Sequence, residues 1–264
     1  MATTVGIDLA ADAKKTALAE VKWSEGKATV TRLDLGVDDG ALLEEIRNSD
    51  GRVGIDCPFG WPSDFKDLVA GHPRSPVDTA ALRWRGKYTH RATDHWVREE
   101  FGVQPLSVSA DKLGHVAIRL SSLIARLEPA EDFPLDGSGR IAEVYPAAAL
   151  SVWDMAHRRY KKPIGESVRA TSLSQMEDAG IDLGEFRELA GRSDDAFDAV
   201  VCAVVARAVG TDLIDPPSKD YEPFAKTEGW IHVPRRGTTV HDIVNLRYHT
   251  VGQATAEQPV TEID

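Results

Sequence analysis

Two short apolar runs in this chain end on an aspartate. T-T-V-G-I-D-L-A places Asp8, and R-V-G-I-D-C-P-F-G-W-P places Asp56. A third stretch, S-D-D-A-F-D-A-V-V-C-A-V-V-A from Ser193, sets Asp195 and Asp198 three residues apart, so that on a helix they share one face. Acids in a first helical turn cap it and favour its dipole, which accounts for Asp194 and Asp195. Asp198 already stands among apolar neighbours, where a carboxylate needs a proton, a cationic partner or a metal. Glu143 poses the same problem inside I-A-E-V-Y-P; its plainer reading is an edge-strand glutamate facing water. Asp8, Asp56, Glu143, Asp195 and Asp198 are therefore the candidate catalytic cluster. Gathered together they would repel one another severely without a cation. Mg²⁺ or Mn²⁺ takes such oxygen ligands, and Asp8, Asp56, Asp195 and Asp198 are the candidate ligands. Two such ions about 4 Å apart can activate a water and stabilise the departing oxygen of a phosphodiester.

The substrate side is carried by R-W-R-G-K-Y-T-H-R, from Arg83 to Arg91. Arg83, Arg85, Lys87 and Arg91 could grip phosphate while Trp84 and Tyr88 stack on bases; a solvated loop balancing nearby acids is the competing reading. Arg158, Arg159, Lys161 and Lys162 read as a solvated linker. Arg91 and Asp94 are spaced to pair within a helical turn. Cys57 follows Asp56 but has no histidine near it in sequence, and reads as a small buried residue, as does Cys202. The eight histidines show no H-E-x-x-H spacing. Trp230, in E-G-W-I, reads as a packing anchor.

Elements must position these groups. Thr4 to Ala10 reads as a buried strand, and Lys14 to Lys22 can pair back antiparallel. Lys27 to Leu35 alternates as a half-buried strand after a turn at Ser24-Glu25-Gly26. Asp38 to Arg47 reads as a helix with Asp38 or Asp39 as N-cap, and Arg52 to Asp56 as a fourth strand. A crossover through that helix lays the fourth strand parallel to the first. Asp8 and Asp56 then end adjacent strands at the carboxyl edge, where α/β sheets form their crevices. Further on, helical patterns cover Phe65–Ala70, Ala92–Phe101 and Ala110–Leu127. Gly139–Tyr145 reads as a fifth strand. A helix opened by Pro146 runs to about His157, two weaker helical stretches follow, and Asp194–Val209 is a strong final helix.

The chain as a whole has 264 residues, 42% hydrophobic and 28% charged. That fits one large domain with elaborations. Residues 1–248 are read as that domain, with an insertion over about 57–134, and 249–264 as a disordered acidic tail. A formal net charge of −11 argues against coating nucleic acid by bulk attraction. No run spans a bilayer and no secretory signal is visible. With only two cysteines, a reducing, cytoplasmic setting is expected and a disulfide scaffold is not.

The strand and helix order, with acids on the first and fourth strands and on a late helix, resembles the RNase H-like superfamily. The D-A-F-D-A helix is similar to the late helix of RuvC-type resolvases. G-I-D-L-A, I-D-C-P-F-G-W-P, the R-x-T-D of Arg91–Asp94, E-V-Y-P, D-D-A-F-D-A and E-G-W-I together resemble domain-of-unknown-function family 429, from Val5 to about Val233. The resemblance implies an α/β fold with a mixed sheet of strand order 3-2-1-4-5, flanked by helices, with a helical insertion after the fourth strand. It implies a metal-dependent nuclease in which Asp8 bridges the metals, Asp56 supplies the fourth-strand acid, and Asp195 and Asp198 the helix pair. Glu143 departs from the superfamily's acid positions. Nucleic acid or a nucleotide is the partner expected. Two other classes remain: an ATP-handling enzyme of the actin and sugar-kinase type, disfavoured by the glycine-free turn L-A-A-D-A-K-K after Asp8, and a non-catalytic nucleic-acid or protein binding module.

Overall fold

The alternation of β1 (Ala2–Asp8) decides which way its aspartate points. Val5 and Ile7 pack into one core; Thr4, Gly6 and Asp8, two residues apart, turn to the other face. The computed structural model describes residues 2–74, 85–130, 133–161 and 163–246. Arg83, Lys162 and the expected tail at 249–264 lie outside these. After β1 come β2 (Ala17–Ser24), β3 (Lys27–Leu35), α1 (Asp39–Asn48) and β4 (Val53–Asp56). Among the described residues, α2 (Ser63–Gly71), α3 (Gly86–Thr89), α4 (Ala92–Phe101) and α5 (Asp111–Ile124) precede the next strand. Then follow β5 (Ile141–Val144), α6 (Pro146–Val152), α7 (Glu166–Asp178), β6 (Ile181–Asp182), α8 (Arg187–Arg192), α9 (Asp194–Gly210), α10 (Glu222–Glu228), β7 (Ile231–His232) and α11 (Val240–Asn245).

The strands form one mixed seven-stranded sheet in the order β6-β3-β2-β1-β4-β5-β7. β1, β2 and β3 are an antiparallel meander; β4 lies parallel to β1, and β5 parallel to β4. The two-residue strands β6 and β7 sit at the edges; they are too short to carry a periodic signal, and neither is foreseen from sequence. The helix expected to run from Pro146 to His157 stops at Val152. Asp38 is the N-cap of α1, its side chain accepting from the Ala41 N–H.

Each face of the sheet has its own core. Val5, Ile7, Val53, Ile55 and Ile141 meet α1 and α5 through Leu42, Ile46, Val116 and Leu120. The opposite face is covered by α9, buried without a break from Ala196 to Ala208, as befits a helix apolar on every side. Here the glycine of each V-G-I-D matters. A Cβ on Gly6 would stand 2.0 Å from the Ala199 carbonyl oxygen, and one on Gly54 2.6 Å from that of Cys202. Only glycine lets the helix backbone lie directly on β1 and β4. Thr4 fastens the contact by donating to the Ala203 carbonyl at 2.8 Å. Among the described residues, no helix is long and apolar enough to cross a membrane.

Candidate metal centre

The doubled motif delivers its carboxylates side by side. β1 and β4 pair in register from Val5↔Val53 to Asp8↔Asp56, so both aspartates leave the same end of the sheet on the α9 side. α9 runs antiparallel to these strands: Ala203 lies over Thr4, Ala199 over Gly6, and Asp198, one residue earlier, reaches Asp8. One carboxylate oxygen each from Asp8, Asp56 and Asp198 lie within 4.8 Å of one another. The first turn of α9, capped by the Ser193 hydroxyl on the Ala196 N–H at 3.2 Å, faces this cluster with the positive end of its dipole.

The electrostatics follow from burial and crowding. Burial, then the charges of Asp198 and Asp56, hold the Asp8 carboxyl well above the usual carboxylate range. Asp56 is pushed up to about 7 by burial, against the pull of Lys161 and with the push of Asp198. Asp198, fully buried, is raised for the same first reason despite Lys161. Lys161, whose ammonium sits 2.6 Å from Oδ2, and the Tyr160 hydroxyl hydrogen-bond its carboxylate and pull against that rise. Burial alone would depress the Lys161 ammonium, but Asp198, Asp56 and Asp8 outweigh it and raise its pKa.

Of the five acids expected to cluster, three meet. Asp195 sits beside them in the first turn of α9, half-buried, and its charge contributes to the upward push on Asp8; it lies outside the group of three. Glu143 is elsewhere engaged. Its Oε1 and Oε2 accept from Arg91 Nη2 at 2.6 Å and Nη1 at 2.7 Å, and Oε2 also accepts the Phe59 N–H at 2.9 Å. Both partners are buried. Arg91, expected as a substrate contact, is held by internal partners in this structure: its guanidinium also donates to Asp94 Oδ1 at 2.9 Å and to the Glu228 carbonyl at 3.3 Å. Its fork is spent on internal acceptors. Glu228 closes the arrangement, accepting from the Ser63 and Ala92 N–H groups at 2.7 and 2.9 Å. Lys87 bonds Asp64 at 3.0 Å, and Arg85 begins the turn into α3.

Lys161 is the residue that sequence reasoning set aside. Its place in R-R-Y-K-K-P reads as solvated linker, and its side chain is half exposed, yet the ammonium reaches Asp198. No local signal separates it from Arg158 or Arg159; the path of the loop after α6 decides. Cys57 is a buried thiol that burial and the nearby Glu143 and Asp56 carboxylates keep protonated, and Cys202 lies in the α9 core. Trp230 is fully buried against Trp96 and Tyr221, ring centroids 4.8 and 5.5 Å away.

The buried ion cluster and the carboxylate centre thus draw together D-L-A, D-C-P-F-G-W-P, R-x-T-D, E-V-Y-P, D-D-A-F-D-A and E-G-W-I. The chain belongs to the family described as "Protein of unknown function (DUF429)", whose model matches residues 6–222. No curated protein and no solved structure matches the chain significantly.

Proposed function

We propose that the protein is a metal-dependent phosphodiesterase or nuclease of RNase H-like architecture. The observation that carries this reading is the convergence of Asp8, Asp56 and Asp198 within 4.8 Å, from two strand ends and one helix. The acids lie on the first strand, the fourth strand and a late helix, the arrangement to be expected of that superfamily.

The donor set fits a hard divalent cation. It is all carboxylate oxygen, half-buried at Asp8 and Asp56 and fully buried at Asp198, which suits Mg²⁺ or Mn²⁺. When bound, such a cation would supply a water of lowered pKa and neutralise charge on a phosphate. Asp8, Asp56 and Asp198 would hold it, and Asp195 stands near enough to shape the field. The Lys161 side chain, half exposed and reaching in from the cleft, is placed to meet a phosphate oxygen once the charge of Asp198 is taken up by a cation. Glu143 and Arg91 act at one remove. By holding the Phe59 N–H, Glu143 fixes the loop that follows Asp56 and so the direction of its carboxylate.

The test is calorimetric titration of the full chain with Mn²⁺, beside the variants Asp8→Asn and Asp198→Asn. The wild type should take up Mn²⁺, and each variant should bind at least about ten-fold more weakly, since a ligand charge is removed from a site built of three. Hydrolysis of DNA, RNA and a phosphodiester should require the cation and be lost in both variants. A wild type that takes up neither Mn²⁺ nor Mg²⁺ would remove the basis of the assignment.

A further inference from the structure

Asp8 and Asp56 line a half-open cleft of about 970 Å³, the size of a small-molecule site. Asp8, Asp56 and Lys161 make one polar end of it. Most of the remaining lining is apolar: Leu113 and Val116 come from α5, Val168 from α7, and Tyr145 follows β5. Leu106 and Ile164 line it while 51% and 86% exposed, so they stand at its mouth. Large apolar side chains held in water at the entrance to a polar-ended cleft suit a ligand with one apolar and one anionic part.

A polymer asks for something else. Nucleic-acid strands are held along a track of lysines and arginines. Among the described residues, the basic side chains lining the cleft near the acids are His157, Arg159 and Lys161; Arg91 also lines it but is tied to Glu143 and Asp94. Lys87 is bonded to Asp64, and the net charge is −11. We infer that the substrate of this site is a small phosphodiester of nucleotide size, its aromatic or apolar group seated between Leu106, Ile164 and Tyr145 and its phosphate turned toward Asp8 and Asp56. This rests on the reading of the acids as a cation site. Hydrolysis of such a diester forms a bond from the water oxygen to phosphorus and breaks the bond from phosphorus to the leaving oxygen. One water proton ends on the leaving alcohol and the other stays with the product phosphate, so no co-reactant is needed.

Thymidine 5′-(4-nitrophenyl) phosphate is the small probe and a long single-stranded oligonucleotide the polymer, both with Mn²⁺. Binding of thymidine 5′-monophosphate is followed separately by calorimetry with Ca²⁺. The small ester should be hydrolysed with a kcat/KM at least about ten-fold above that of the polymer per scissile bond. Leu106→Asp and Ile164→Asp, at exposed positions the fold tolerates, should each raise KM and weaken monophosphate binding about ten-fold, with Mn²⁺ affinity unchanged. Preferred cleavage of the polymer, or rim variants that leave monophosphate binding unaltered, overturns the inference while the cation site stands. Monophosphate binding that survives in a protein taking up no divalent cation supports the cleft's role and removes the metal reading instead.

Discussion

At the scale of single residues, the centre is a competition for Asp198. A buried carboxylate needs a counter-charge, and in this structure the Lys161 ammonium provides it at 2.6 Å. A divalent cation would compete for the same oxygen. Lys161→Met is therefore expected to tighten Mn²⁺ binding several-fold and to slow turnover, read by calorimetry and kinetics on one preparation; weaker Mn²⁺ binding would mean that Lys161 supports the site rather than occupying it. The pH dependence has a definite sign. The Asp56 carboxyl titrates at about 7 in the folded protein, above its value near 4 in an unfolded chain. Its contribution to stability is full below pH 4 and is lost as the pH rises through 7, because the folded state must then ionise a crowded carboxyl. Asp56→Asn escapes that loss. In EDTA the variant should match the wild type near pH 4, gain on it up to pH 7, and be more stable at pH 8 by up to about 4 kcal/mol, checked by thermal melts across the range.

At the scale of elements, the centre depends on how closely α9 approaches the sheet. Gly6 and Gly54 remove the side chains that would hold the helix off, and their spacing in the two V-G-I-D runs puts each one pleat before the aspartate it serves. Gly6→Ala drives a Cβ into the Ala199 carbonyl at 2.0 Å, backbone that cannot rotate away. The expected cost is about 3 kcal/mol or more, with Mn²⁺ affinity falling as Asp198 is displaced. Gly86→Ala, where a Cβ meets nothing within 4 Å, is the matched control and should be neutral or slightly stabilising in its helix. Chemical denaturation of both variants decides it.

At the scale of the whole molecule, the buried ion cluster joins parts of the chain that are far apart in sequence. Arg91 and Asp94 lie in and beside α4, Glu143 on β5 and Glu228 at the end of α10. Removing one partner strands the others. Arg91→Met should destabilise the protein by about 3–5 kcal/mol, measured by urea unfolding. Glu143→Gln should also destabilise it, and yet leave Mn²⁺ affinity within about two-fold, since its oxygens already accept from Arg91 and Phe59. A ten-fold loss of Mn²⁺ binding in Glu143→Gln would instead make it a ligand.

Much of this was legible before any coordinates. The meander, the crossover helix and the long late helix follow from local hydrophobic period, and Lys27–Leu35 and Ala92–Phe101 fall on the residues the pattern indicates. The doubled V-G-I-D and the unexplained Asp198 pointed to three acids that meet, because strand register and helix spacing are local rules that a sequence states directly. Which basic and acidic groups pair is not local. Glu143 and Asp198 look alike in sequence, each a carboxylate in an apolar run, and only the path of the chain gives one of them an arginine fork and the other a place beside Asp8. The same holds for Lys161, whose reach to Asp198 its neighbours do not suggest, whereas the Arg91–Asp94 pair, three residues apart, follows from the spacing that predicts it. The length of chain between partners, 52 residues from Arg91 to Glu143, explains why: an ion pair between residues so far apart is fixed by three-dimensional packing, and no periodicity along the backbone encodes it.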